Sequence, residues 1–428
     1  MVPKPYQLQK FIVFMEDILK VLLFATALLT SFTSFADTQS TEEYLEEVNK
    51  AFSRFFEATN GKTYSQQIIA IEELYVEFEG NDAVQDVLLQ SLGDVYSFAG
   101  LHRRALMSVD SRGIESGKLY EEIKHLRVHD AVDAILERSS EHQIVMINEA
   151  HHAPQHRVLT YQLLEGLWEQ GYRYLALEAL AENAEHNLAI GYIPQSAGHF
   201  TKESIFANLL LYAQELGFQL VSYDYDFEVE GTTAEREESG ARNLREKIFT
   251  QNPDAKAIIH VGYNHINEEG WLAHYLKESL GLDPLTINQT EIGEKSEQQY
   301  ESESYAWIIY NHAFDAPIVL LNEAGEFWSA SPNEYNVNVI WPRTEYTQSR
   351  PEWARLGRKL KPADPTWCQE TFPCTIAVYA GSADDEVPTD RIVLLTAQDT
   401  AGVFISPSSS KIEVANAEGN ILHTEVIE

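Results

Sequence analysis

Cysteine is nearly absent: only Cys368 and Cys374 occur in 428 residues, close together in WCQETFPCT. That excludes a disulfide-dense scaffold, and a lone cysteine pair with no histidine nearby is a poor zinc site. Basic residues are scarce as well, 31 Lys plus Arg against 66 Asp plus Glu, for a formal net charge of −35. A surface this negative repels phosphate backbones, so no nucleic-acid partner is expected; a small-molecule or peptide substrate is. Long apolar runs are missing too. The amino-terminal one, Val21–Leu29 (VLLFATALL), falls short of the ~20 residues that span a bilayer. No Cys-x-x-Cys-His occurs, so covalent haem attachment is excluded.

What is present supports real cores. Hydrophobic residues make up 44% and aromatics 11%, too many for a disordered polyanion. The length suggests two or three domains at ~100–200 residues each. The apolar run follows Lys20 and precedes Ser34-Phe35-Ala36, small residues at the spacing a signal peptidase accepts. Residues 1–36 therefore read as a secretory signal, with Met15 an alternative start, and the mature chain begins near Asp37. An exported, periplasmic or secreted protein is expected, with no stable membrane span after cleavage. In such a compartment Cys368 and Cys374 read as a disulfide closing a short loop.

Three textures follow one another. From 41 to 139 apolar residues fall at helical spacing, as in Ile68, Ile71, Leu74, Tyr75 and Phe78, with Gly100 placed as a helix stop. Leu119–Leu136 predicts a last amphipathic helix of this region. From 143 to 300 short β-rich runs alternate with helical stretches. QIVMI precedes Gln155–Glu169, YLAL precedes Glu203–Leu216, FQLVSY precedes Thr233–Thr250, and AIIHV precedes Glu268–Leu280, with PLTIN last. That alternation predicts right-handed βαβ units and a mainly parallel sheet, an α/β fold. From 301 to 428 the runs YAWIIY, PIVLL, VNVIW, TIAVYA, RIVLL, GVFIS and KIEVA predict a β-rich domain, with a helical turn in Glu352–Leu360.

Open parallel sheets bind ligands outside the carboxyl ends of their strands. Here the first strand leads into Asn148-Glu149-Ala150-His151-His152, with His156 in the next turn. The second ends in Glu178, the third in Tyr223-Asp224-Tyr225-Asp226, and the fourth carries His260 before Gly262-Tyr263-Asn264-His265. Four strands thus bring carboxylates or imidazoles to one edge. A desolvated carboxylate beside others has a raised pKa suited to a general base. Imidazoles beside it shuttle the proton or ligate a divalent metal that activates water. Against this, His260 among apolar neighbours reads as a satisfied core residue, and His152 as solvent-facing.

Glu149-x-His151 with His156 five residues on, the strand end LALE at Glu178, and HVGYNH around His265 resemble one superfamily. It contains the ChaN-type haem-binding lipoproteins, the Tiki and TraB-like metalloproteases and the erythromycin esterases. The resemblance spans 143–289. ChaN-type proteins open with Gly-Glu-x-His-x-x-x-x-His, matched here except that Asn148 replaces the glycine. The esterases show a similar Glu-x-x-His opening and a late histidine. Arg242, in GARNLREKI, falls where relatives carry an arginine before the last motif. The lipoprotein cysteine of ChaN-type proteins is missing here, and the flanking regions match none of these groups.

The resemblance implies a shared scaffold and active edge rather than one reaction. The leading expectation is an exported hydrolase of ester, lactone or peptide. Glu149 and Glu178 serve as the acid/base pair or metal-side carboxylates, His151 and His265 as general base or ligands, and Arg242 as stabiliser of developing negative charge. His152, His156, Asp224 and Tyr263 are candidate substrate contacts. The alternatives are a protein binding haem or another iron compound through His or Tyr, and a non-catalytic interaction protein with a vestigial site.

Overall fold

The computed structural model describes residues 50–51, 53–111, 119–186, 188, 191–225 and 231–427. The expected signal at 1–36, its cleavage point and Asp226 lie outside the described residues.

Helices α1 (Tyr64–Glu77), α2 (Asp82–Phe98) and α3 (His102–Asp110) form an amino-terminal layer. Thr63 and Gln66 close a capping box on α1, each side chain satisfying the other's backbone amide, and Asn81 caps α2. Ile68, Ile71 and Leu74 meet Val84, Leu88, Leu92 and Val95 in one buried cluster, the three-and-four spacing turned into an interface. Gly100 follows α2 at φ +74°, where a Cβ would lie 2.1 Å from the Arg391 carbonyl oxygen; only glycine fits.

The helix expected over Leu119–Leu136 is instead three pieces: a 3-10 turn at Glu121–His125, strand β1 (Arg127–Asp130) and helix α4 (Ala131–Ser139). The cause is tertiary, because β1 pairs antiparallel with Ile318–Leu321 far along the chain. Then come β2 (Ile144–Glu149), α5 (Gln155–Glu169), β3 (Tyr172–Leu177), α6 (Ser204–Leu216) and β4 (Gln219–Ser222). These are followed by α7 (Thr233–Leu244), β5 (Lys256–Gly262), α8 (Leu272–Leu280) and β6 (Leu285–Asn288). YAWIIY, read from sequence as a strand, is helix α9 (Glu303–Asn311), capped by Ser302. Tyr305 and Ile308 are buried while Tyr310 is 90% exposed, a helical pattern that five aromatic and branched residues out of six disguise. After β7 (Ile318–Leu321), the short β8 (Val337–Asn338) returns to the sheet beside β6.

Six strands run parallel in the order β4-β3-β5-β2-β6-β8. Val145, Ile147, Leu175, Leu177 and Ile258 pack with apolar residues of α4, α5 and α6. Ile144, Met146, Ala176, Ala257, Ile259 and Val261 pack with those of α7 and α8. Burial on both faces is why these strands read as apolar runs rather than alternating ones.

The rest is β-rich: β9 (Tyr346–Thr347), β10 (Arg350–Pro351), β11 (Lys359–Pro362), β12 (Cys374–Tyr379), β13 (Asp390–Leu394), β14 (Gly402–Ile405), β15 (Lys411–Asn416) and β16 (Ile421–Val426). One 3-10 turn spans Glu352–Arg355 and another Pro365–Cys368. An antiparallel sheet runs β13-β12-β15-β16, and β11 pairs with β14. Cys368 and Cys374 are bonded, their Cα atoms 5.9 Å apart, against an apolar cluster with Ile376, Val378 and Ile412. Val393 of β13 joins the cluster of α1 and α2, so the helical layer and the β-rich region share a core. Among the described residues no helix is long and apolar enough to cross a membrane.

Candidate functional site

Glu149 closes β2 in register with Gly262, which closes β5; Glu178 follows β3, and Tyr223-Asp224 follows β4. Parallel strands joined by crossovers point their carboxyl ends one way, so these residues share an edge.

Glu149 is 2% exposed, and four donors meet its two oxygens. Oε1 accepts from Arg157 Nη2 (2.8 Å) and His151 Nδ1 (3.0 Å). Oε2 accepts from Arg157 Nε (2.6 Å) and His260 Nε2 (2.9 Å). Burial alone pushes this carboxyl up, but the Arg157 charge and these hydrogen bonds outweigh it and hold Glu149 well below the usual carboxylate range. It is ionised and saturated, unlike the raised-pKa base the sequence suggested. Its action falls on His151: with Nδ1–H given to Glu149, Nε2 becomes the basic nitrogen. The His151 ring stacks on Phe200 at 3.9 Å and meets Tyr263 edge-on at 5.3 Å.

Arg157, in the first turn of α5, is fully buried and also donates to Glu203 Oε2 (2.9 Å) and the His151 carbonyl (3.0 Å). Glu203 is the cap of α6, accepting from the Phe206 amide. His260 reaches Thr160 Oγ1 with its second nitrogen at 2.9 Å. His156 accepts the Ala150 N–H at Nδ1 (2.9 Å), and burial lowers its pKa to about 3. It is therefore a neutral brace for the loop after β2.

Glu178 builds the second half. Its Oε1 accepts from Arg236 Nη2 (2.8 Å) and its Oε2 from the Gly262 amide (2.7 Å); His265 Nε2 stands 3.4 Å away. Burial raises this carboxyl, yet the His265 and Arg236 charges win and hold it well below the usual range. His265 Nδ1 donates to Glu237 Oε2 at 2.8 Å. Burial would lower its pKa, but Glu237 and Glu178 raise it to about 10. His265 is thus held as an imidazolium between Glu237 and Glu178.

Gly262 joins the halves. A Cβ there would lie 2.7 Å from His151 Nε2 and 3.1 Å from Glu178 Oε2, so the missing side chain is the space in which the two groups face each other. Tyr263 follows at φ +34°, with its hydroxyl 3.3 Å from His152 Nδ1.

The four strand-end residues Glu149, His151, Glu178 and His265 therefore come together, with His152 and Tyr263 beside them. Asp224 does not present itself outward: it is 7% exposed, and both its oxygens bind Arg236 (3.0 and 2.6 Å). Arg242 does not join them. It is exposed and donates to Ser239 Oγ on its own helix. The guanidiniums at the site are those of Arg157 and Arg236. Arg236 precedes Arg242 by six residues, which turns them about 120° apart on the helix. Sequence reasoning missed Glu203 and Glu237 as well; His260, read as a satisfied core residue, is buried with both ring nitrogens hydrogen-bonded. The usable signal was acidic and basic residues at the caps and first two turns of the crossover helices.

Among the described residues no three or more His, Cys, Asp or Glu are grouped to hold a metal ion. The donor set explains this, because the carboxylate oxygens already receive guanidinium and imidazole N–H groups. His260 likewise has both ring nitrogens hydrogen-bonded, and His265 gives Nδ1–H to Glu237 while its Nε2 faces Glu178 at 3.4 Å without a hydrogen bond. The residues do not fit a divalent metal.

No family model and no curated protein matches the chain. A solved structure of the type III effector HopBA1 is similar over 52% of this chain and 99% of that one, at 11% identity and a TM-score of 0.33. The chain is an α/β protein with buried carboxylate–imidazole pairs at the edge of its sheet, an architecture compatible with hydrolysis.

Proposed function

We propose that the chain is a hydrolase of esters, lactones or peptides, with His151 as the general base for water. The Arg157–Glu149–His151 chain of hydrogen bonds carries this reading. A buried carboxylate, kept ionised by an arginine, holds the imidazole in one tautomer and stabilises the imidazolium formed when Nε2 takes a proton from water. The water oxygen bonds to the substrate carbonyl carbon as that proton leaves. The Arg236 and His265 cations, gathered at Glu178 beside the His151 edge, offset negative charge developing on the carbonyl oxygen. His152 and Tyr263 flank the substrate. The superfamily resemblance of the Glu149, Glu178 and His265 motifs supports hydrolysis, and no step needs a metal.

The enzyme acts outside the cytoplasm in this reading. The Val21–Leu29 run and Ser34-Phe35-Ala36 support export, as does a disulfide, which persists in oxidising compartments.

The test is turnover of p-nitrophenyl esters, lactones and peptides by the purified chain and by His151→Gln. His151→Gln should lose about 10²–10⁴-fold in kcat/KM with an unchanged circular dichroism spectrum. A wild-type chain that hydrolyses none of the panel, or a His151→Gln protein of full activity, overturns the reading.

A further inference from the structure

We propose that Asp94, on helix α2 of the amino-terminal layer, is the general acid of this site, protonating the leaving group while His151 takes a proton from water. The proposal rests on the hydrolase reading and adds a residue from a region that neither the motifs nor the sheet would suggest.

Helix α2 lies against the strand-end loops. At Gly93 a Cβ would be 3.3 Å from the His152 Cβ, so the helix backbone touches the catalytic loop there. One turn on, Phe98 is edge-on to His199 at 5.3 Å and 6.3 Å from Phe200, which stacks on His151. Asp94 adjoins Gly93 and, four residues before Phe98, shares its face of the helix. It is bracketed by contacts to His152 on one side and to the ring that holds His151 on the other. The charged and titratable groups about it are His151 and Glu149 at the end of β2, Arg157 on α5, His152 against Gly93, and His199 against Phe98. Burial is the largest influence on Asp94 and, with repulsion from Glu149, raises its pKa to about 6 against the pull of His151 and Arg157. Glu149, in the same cluster, is held far lower. Two carboxyls driven apart in this way divide into one that keeps its proton up to about pH 6 and one that stays ionised.

The protons balance. Water gives its oxygen to the carbonyl carbon and a proton to His151 Nε2. As the tetrahedral adduct collapses, the bond from carbon to the leaving oxygen or nitrogen breaks, and the leaving group takes the proton of Asp94. The proton on His151 then returns to the Asp94 carboxylate, restoring both groups. The helical layer is in this view part of the enzyme's machinery, since the acid comes from it and the base from the sheet.

The leaving group supplies the test. p-Nitrophenolate departs without a proton, whereas an alkoxide does not. The full chain, Asp94→Asn and Asp94→Glu are compared on p-nitrophenyl butyrate and ethyl butyrate. Asp94→Asn should lower kcat/KM about 100-fold more for the ethyl ester than for the nitrophenyl ester, with Asp94→Glu recovering part of the difference. Wild-type turnover of the ethyl ester should fall as pH rises past about 6, a limb missing in Asp94→Asn. Equal losses on both esters mean a structural role and overturn the proposal, as does no loss on either. Wild-type turnover no greater than that of His151→Gln would sink the hydrolase reading itself, so the two failures are told apart. Infrared titration of the chain labelled with carboxyl-13C aspartate, the Asp94 band assigned by its loss in Asp94→Asn, needs no turnover. Titration at the ordinary 3.8 rather than near 6 also overturns the proposal.

Discussion

Glu149 illustrates how surroundings, more than residue type, decide what a carboxylate does. In the sequence it is an acid beside histidines at a strand end, which suggests a base. In the fold Arg157 clamps it with two nitrogens, and two imidazoles take what remains. Its charge also compensates a fully buried guanidinium. Glu149→Gln should therefore destabilise as well as inactivate. Arg157 would keep Glu203 but lose its bidentate partner, at a cost of about 3 kcal/mol, given that breaking a buried pair typically costs ~3–5. Urea denaturation of the two proteins measures this, and a difference under about 0.5 kcal/mol would show that Glu203 alone balances Arg157. The strand-end residues were legible because their placement follows from chain direction alone. Arg157, Arg236 and Glu237 were not, because each meets its partner through the rotational phase of a helix.

Elements were most legible where the chain alternates strand and helix. Gln155–Glu169 is a helix from end to end as read, and the strands QIVMI, YLAL, AIIHV and PLTIN all form. Legibility failed at 119–136 and at YAWIIY, where local pattern was outvoted by a distant strand partner in one case and by burial of one helical face in the other. His265 ties such elements together. It follows β5, and its two carboxylates come from α7 and from the end of β3. Its folded pKa of about 10 stands above the 6.5 of a free histidine, so its stabilising contribution is complete below pH 6.5 and is lost as pH rises through about 10. Glu149 and Glu178, held below the free value of 4.5, act oppositely: their contributions are present above pH 4.5 and are lost as pH falls below it. Thermal melts should accordingly show wild-type stability declining between pH 6.5 and 10, with a shallower decline in His265→Gln. Parallel slopes would mean that His265 is not an ionised clamp.

At the scale of the whole molecule, three regions meet around one edge. The Ala99 carbonyl accepts from the Val393 amide at 2.9 Å, and Arg391 donates to the Phe98 carbonyl at 3.1 Å, so the end of α2 is anchored to β13 of the β-rich region. That anchoring holds the helix carrying Asp94 against the sheet. The proposed export carries a prediction about the covalent form. Exported material should begin at or near Asp37 by amino-terminal sequencing, and its unreduced mass should be two hydrogens below that of the free thiols, since Cys368 and Cys374 are joined. An intact Met1 or Met15 would contradict the processing. The sequence by itself determined the α/β class, the order of the three regions, the disulfide pair and the edge at which carboxylates and imidazoles collect. These follow from periodicity, composition and chain direction, which are local or additive properties. Only the tertiary structure decided that Glu149 is a saturated anion, that His265 is a cation, that Arg236 rather than Arg242 reaches the site, and that a helix from the amino-terminal layer packs on the loop carrying His152. Each of these depends on which groups burial brings within hydrogen-bonding distance, and no linear spacing encodes that.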